Sequence, residues 1–324
     1  MSDVLMLSAI VMLVLLFLKV PVYIAVLGGS MVYFVLNPDI NAVVFAQQAI
    51  IGTEKISLMA IPFFICAGIF MNYTGVTKRI MDFCEVVTGR LPGGLAQVNV
   101  LLSTVMGGLS GSNIADAAME SKMMVPEMTK KGFSLEFSSV VTAASSMITP
   151  LIPPGIAMIL YGCIANVSIG KLFISGFGVG GLLCITMMIL VGFISKKRGY
   201  GNLTTEKLTW PRFWEAFKPA VLPLLLPIII IGGIRIGIFT ATEAGAVAIL
   251  YAALLGIIYR EMHVKDMVQG LKETVCSTAS IMLIVSAASV FSWILTKERI
   301  PQTLTAWMLA LSLIHISEPT RRSY

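Results

Sequence analysis

The sequence predicts an all-α polytopic membrane protein, and three observations carry that prediction. Of its 324 residues, 57% are hydrophobic and only 12% are charged, against roughly 25% charged in a soluble domain. Apolar runs recur along nearly the whole chain, at 4–18, 20–36, 58–71, 95–106, 137–149, 156–164, 172–194, 217–234, 244–259 and 280–295. Two segments rich in Gly, Ser and Pro, 107–116 and 142–155, interrupt that pattern. Hydrocarbon supplies no water to satisfy freed backbone groups, so irregular backbone survives there only where protein, an ion or a wet cavity takes those hydrogen bonds. Breaks of this kind line binding sites in carriers, which makes the chain read as a transporter.

The first run is expected to stay as a membrane helix. Its leading region holds Asp3 and no Lys or Arg, and no small-x-small cleavage site follows, unlike a removable signal peptide. Several later runs fall short of the ~20 residues that a span needs. Full spans mixed with re-entrant hairpins and Pro-broken helices account for both lengths. Residues 41–57 set Phe45, Ile50, Ile51 and Ile56 against Gln47, Gln48, Glu54 and Lys55, and are expected at the interface. A second amphipathic stretch, 76–87, sets Ile80, Met81 and Phe83 against Lys78, Arg79, Asp82 and Glu85, and ends at Gly89. It either braces the protein's own body or docks a partner subunit.

The net charge of +6 lies mostly in loops: Lys196, Lys197 and Arg198, then Lys218, Arg260 and Lys265 bracket three successive apolar segments. The positive-inside rule places these ends in the cytoplasm and the N-terminus outside. No basic stripe interleaves with exposed aromatics, so nucleic acid is not an expected partner. Cys66, Cys84, Cys163, Cys184 and Cys276 have neither C-x-x-C nor metal-site spacing; no transition metal is expected, and the thiols read as small buried hydrophobes.

The chemistry concentrates in the two broken segments. Ser110, Ser112 and Asn113 crowd a Gly-rich turn, and Asp116 follows at the head of a helix with Glu120 one turn later on the same face. A carboxylate at bilayer centre costs about 2.5–3.5 kcal/mol on insertion scales, so neither faces lipid. Asp116 either serves the site or favours its helix N-terminus through the macrodipole. In the second segment Pro150, Pro153 and Pro154 remove three N–H donors and free upstream carbonyls. Those carbonyls, with Ser, Thr and Asn oxygens, suit a small alkali cation; a plain proline kink is the other reading. Gly108-Leu-Ser-Gly111 also matches the pattern around the serine nucleophile of intramembrane proteases. That reading needs a base beside Ser110, and the histidines, His263 and His315, lie in a charged loop and near the C-terminus.

The motifs Ser110-Gly-Ser-Asn-Ile-Ala-Asp116, Val125-Pro126, Thr142-Ala-Ala-Ser-Ser146, Pro150-Leu-Ile-Pro-Pro-Gly155, Gly232-Gly-Ile-Arg235 and Phe239-Thr-Ala-Thr-Glu243 resemble, in order, the large membrane subunit of tripartite ATP-independent periplasmic (TRAP) transporters. The resemblance covers about residues 5–311. It implies an elevator-type carrier of the bacterial inner membrane, built from inverted repeats and driven by sodium as coupling ion, with no other cofactor and no catalytic residue. It also implies a small membrane subunit of the DctQ type as partner, and a periplasmic solute-binding protein delivering a small organic acid. A carrier that takes divalent organic anions directly is the alternative.

Carried onto this chain, the resemblance puts the sodium site at Ser110, Ser112 and Asn113 with the carbonyls of Thr149, Ile152 and Pro153. Asp116, Thr142, Ser145, Ser146, Pro150, Pro154 and Gly155 would line the transport site. Thr149 stands where many relatives have glycine, and Glu120 and Lys122 are unusual in a hairpin helix that is commonly small and apolar there. The implied division is scaffold at 1–90, first transport repeat at 91–170, scaffold at 171–265 and the start of a second, incomplete repeat at 266–311. Residues 312–324 abandon the membrane pattern and resemble a translated sequencing-adaptor read-through, so they are expected to be non-native.

Overall fold

The computed structural model describes residues 3–204 and 209–316. Every regular element among them is helical, in agreement with the expected all-α class. Among the described residues, five helices are long and apolar enough to cross a membrane, or six if a bent pair counts as one span. The chain divides into two compact units, residues 1–55 with 279–324, and residues 56–278.

The first unit holds α1 (Asp3–Phe17), α2 (Val22–Leu36), α3 (Val43–Ile51), the second half of α13 (Val264–Lys297) and α14 (Ile300–Ile316). Its core is Leu5, Tyr33, Phe34, Val290 and Ile294, with Phe34 stacked on Trp293 at 5.5 Å between ring centres. Ser8 Oγ donates to the Gly29 carbonyl at 2.7 Å, and a Cβ at Gly29 would fall 2.7 Å from Met12 Cβ. That close approach is how small residues hold helices together where no hydrophobic drive separates them from lipid. The interfacial stretch expected at 41–57 is α3 followed by a short 3-10 turn, Ile56–Met59. Helix α14 continues past residue 311, while 317–324 of the expected tail lie outside the described residues.

The second unit begins with α4 (Ala60–Tyr73) and α5 (Val76–Thr88). Helix α5 buries Val76, Ile80, Cys84 and Thr88 at four-residue spacing; of the apolar residues read from the sequence, Ile80 is buried, and Met81 and Phe83 are half-buried. Its polar face is tied down too: Arg79 pairs with Glu261 at 2.7 Å and stacks 3.9 Å above the Tyr259 ring. Next come α6 (Gly94–Ser110), α7 (Asn113–Lys130), α8 (Leu135–Ser145), a 3-10 turn (Thr149–Leu151) and α9 (Ile156–Ala165). They are followed by α10 (Ile169–Arg198), α11 (Trp210–Ile236) and α12 (Ala241–Tyr259). Helix α12 lies on α4 with Ala244, Gly245, Ala248 and Ala252 buried; a Cβ at Gly245 would sit 2.8 Å from Phe63 Cβ.

Two sequence expectations are corrected. Cys66, Cys84, Cys163 and Cys184 are buried, but Cys276 is exposed on α13. Helix α11 starts at Trp210, seven residues before the expected run at 217, and carries Pro219, Pro223 and Pro227 inside it. Interior prolines argue against a continuous helix from sequence, yet a neighbouring side chain, Tyr259, takes one of the freed carbonyls, that of Pro219, as membrane helices allow.

Candidate functional site

The first broken segment is a helical hairpin. Helix α6 ends at Ser110, Gly111 turns the chain with φ +60°, and Ser112 caps α7 by accepting from the Ala115 N–H at 3.4 Å. The left-handed turn favours glycine because a Cβ there clashes with its own backbone. The second broken segment is the bend between α8 and α9, which lie 44° apart across the 3-10 turn, with Pro153–Pro154 joined by a cis peptide.

Hairpin tip and bend touch backbone to backbone. A Cβ at Gly107 would fall 2.8 Å from the Thr149 carbonyl oxygen, and one at Gly111 2.5 Å from the Pro154 carbonyl oxygen. At Gly108 the nearest atoms would be Pro227 Cγ at 2.8 Å and the Pro153 carbonyl oxygen at 3.4 Å. The glycines therefore form a flat face that lets the carbonyls of the bend approach the tip. Thr149's carbonyl also accepts from the Ile152 N–H at 3.3 Å. Helix α4 supports the tip from another side, where a Cβ at Gly68 would sit 3.1 Å from the Ser110 carbonyl oxygen.

Ser110 Oγ is buried and meets no hydrogen-bond partner among the described residues, so no base activates it. Ser112 spends its hydroxyl on the cap, and Asn113 sits exposed at the tip. Thr149, Ile152, Pro153, Pro154 and Gly155 are buried in the bend, and Pro150 is half-buried.

Behind the tip runs a chain of polar side chains. Thr149 Oγ1 donates to Asp116 Oδ2 at 2.6 Å, and Ser103 Oγ donates to Glu120 Oε2 at 2.6 Å. Ser103 Oγ lies 3.0 Å from Ser145 Oγ, and Asn99 Nδ2 donates to Thr142 Oγ1 at 2.6 Å. Asp116 Oδ1 and Glu120 Oε1 have no hydrogen-bond partner, and neither carboxyl pairs with a basic side chain among the described residues. Ser146 turns away, its hydroxyl on the Ala143 carbonyl at 3.0 Å. Asp116, Thr142, Ser145 and Thr149 are thus brought together as one network.

Asn99, Ser103 and Glu120 belong to that network and were not among the residues singled out as site candidates. The signal for two of them was present: Asn99 and Ser103 are polar residues one helical turn apart inside an apolar run.

The family profile described as "Tripartite ATP-independent periplasmic transporter, DctM component" matches residues 9–316. The sialic acid TRAP transporter large permease protein of Vibrio cholerae is 38% identical over 299 residues, covering 92% of this chain and 70% of the relative. The 2,3-diketo-L-gulonate TRAP transporter large permease protein of Escherichia coli is 34% identical, covering 86% and 65%. The C4-dicarboxylate TRAP transporter large permease protein of Pseudomonas aeruginosa is 33% identical, covering 89% and 67%. A sialic acid TRAP transporter permease protein of Haemophilus influenzae is 33% identical, covering 94% of this chain and 49% of its own length. The chain therefore spans from about half to seven tenths of the length of these relatives. With helices long and apolar enough to cross the bilayer and a profile that covers nearly all of it, this is a multi-pass inner-membrane protein, and it belongs to the DctM family of TRAP transporter large permease components, a family of transporters and not of enzymes.

Proposed function

We propose that this chain forms the permease of a sodium-coupled system for uptake of a small organic acid delivered by a periplasmic solute-binding protein. A small membrane subunit completes the complex. The observation that carries the reading is the seating of the Gly107–Gly108–Gly111 face on the carbonyls of the bend. Oxygen atoms without protons, next to a buried unpartnered hydroxyl at Ser110, suit a hard alkali cation. Sodium would be held by Ser110 Oγ, by the carbonyls of Thr149, Ile152 and Pro153, and at the outer edge by Ser112 and Asn113. Sialic acid, diketogulonate and C4-dicarboxylates, named in the relatives, are all organic acids; this supports a carboxylate-bearing solute.

The cation would favour one conformation by its differential affinity for it, which is all that a coupling ion can do. In the elevator reading, residues 91–170 and 266–311 move with the solute, while 1–90 and 171–265 hold still. The test is uptake into proteoliposomes containing the permease and its small partner, under an imposed sodium gradient, with and without the binding protein. Uptake that requires both is expected. Sodium-driven uptake without the binding protein would replace this reading with a direct anion symporter.

A further inference from the structure

Helix α10 ends on Lys196, Lys197 and Arg198, and its last turns are flanked by two grooves. The first, of about 280 Å³, runs between α8 and α10 along Val140, Val141, Ala144, Leu190 and Ile194, with Glu136 and Arg198 at one end. The second, of about 400 Å³, runs along Leu91, Ile189, Gly192 and Phe193, with Gln97 on its wall and Lys196 at its end. Each groove is apolar along its length and basic at the same end of α10.

The placement follows from helix geometry. Residues two apart lie about 200° apart around an α-helix, so Lys196 and Arg198 point to opposite flanks and each serves its own groove. Lys197 lines neither. Arg198 is held at its mouth by the Phe137 ring, with the guanidinium carbon 5.5 Å from the ring centre. Val140, Ile189, Leu190 and Phe193 are exposed on an apolar helical surface, so these troughs suit an acyl chain. A guanidinium or ammonium at the mouth selects the headgroup.

We infer that the two grooves are seats for anionic phospholipid, each taking an acyl chain in the trough and a lipid phosphate on Arg198 or Lys196. Glu136 opposes the phosphate at the first mouth, whereas the second has no acidic residue in its lining. The Lys196 seat is accordingly the more selective.

Native mass spectrometry of the detergent-solubilised chain, titrated with phosphatidylglycerol and with phosphatidylcholine, tests this. Phosphatidylglycerol is expected to be retained preferentially, and Lys196→Gln and Arg198→Gln each to lower that preference about fivefold, the value of one basic residue near a lipid surface. Lys197→Gln should leave it unchanged and Glu136→Gln should raise it. Ala144→Trp, or Val140→Trp at the groove rim should the first variant fail to fold, is expected to remove one bound lipid without altering charge. Equal retention of the two lipids overturns the inference. So does a Lys197→Gln effect as large as the other two, or an unchanged lipid count in a folded groove-filled variant, since either result means attraction to a basic surface only.

Discussion

Tyr259 donates its hydroxyl to the carbonyl of Pro219 at 3.1 Å. That carbonyl is the one Pro223, lacking an N–H, leaves without its helical partner four residues on. A side chain on α12 thus repairs one of the three breaks that interior prolines make in the ladder of α11.

Tyr259→Phe keeps the ring beneath Arg79 and removes only the donor. Thermal unfolding in detergent is expected to show a loss of about 1 kcal/mol, the net worth of one hydrogen bond. In a Pro223→Ala background, where the helix regains its own donor, the same change should cost clearly less. An equal cost in both backgrounds would detach Tyr259 from the repair.

Glu120 and Ser103 offer a second test. Glu120→Gln keeps an acceptor for the Ser103 hydroxyl and removes the ionisable group, so stability is expected to hold or rise. Glu120→Ala removes the shorter partner of Ser103 Oγ, leaving Ser145 Oγ at 3.0 Å, and should cost about 0.5–1.5 kcal/mol. A Gln variant as unstable as the Ala variant would mean that charge on Glu120 stabilises the fold.

The serines of the tip should separate stability from ion binding. Ser112→Ala removes a helix cap and is expected to cost about 1 kcal/mol of stability. Ser110→Ala removes a hydroxyl that has no protein partner, so the fold should be unaffected while the sodium concentration needed for half-maximal uptake rises. Unchanged sodium dependence in the folded variant removes Ser110 from the proposed site.

Gly111→Ala places a Cβ 2.5 Å from the Pro154 carbonyl oxygen at a residue with φ +60°. The left-handed backbone alone costs about 1–2 kcal/mol, and the clash forces tip and bend apart. Sodium-driven uptake is expected to be lost while the rest of the chain stays folded by far-ultraviolet circular dichroism. Near-normal uptake would show that the contact is dispensable.

Glu85 gives a pH dependence. Burial on α5 raises its carboxyl above the ordinary value, the charges of Asp82 and Glu127 add to that, and Lys131 pulls it back. A carboxyl raised in the folded state binds its proton more readily there than in the unfolded chain. Its contribution is fully present below the unfolded value and is lost as pH rises through the folded one. Stability should therefore decline over that window, and Glu85→Gln should flatten the decline. An identical pH profile in the variant would assign the slope to other groups.

Much of this architecture was legible in the sequence because the membrane imposes long apolar runs and penalises breaks. The hairpin at Gly111, the bend at Pro153 and Pro154 and the stripe on α5 were all visible as local composition. The site's interior was less so. Ser112 reads as an ion ligand from its neighbours, and the structure adds a second role, the cap of α7, which only the chain's path reveals. Asn99 and Ser103 were hidden inside a long apolar run, and the start of α11 by Pro211, Arg212 and Glu215, which interrupt the apolar pattern ahead of residue 217.

The absence of a side chain at Gly68 has a mechanical meaning. It lets the backbone of α4 bear directly on Ser110, while Gly245 lets α12 bear on Phe63 of α4. At Gly68 backbone rests on backbone, and at Gly245 backbone rests on the Cβ of Phe63, the stiff base of that side chain. Any movement of the hairpin tip relative to α4 therefore has to begin by lifting backbone off backbone at Gly68.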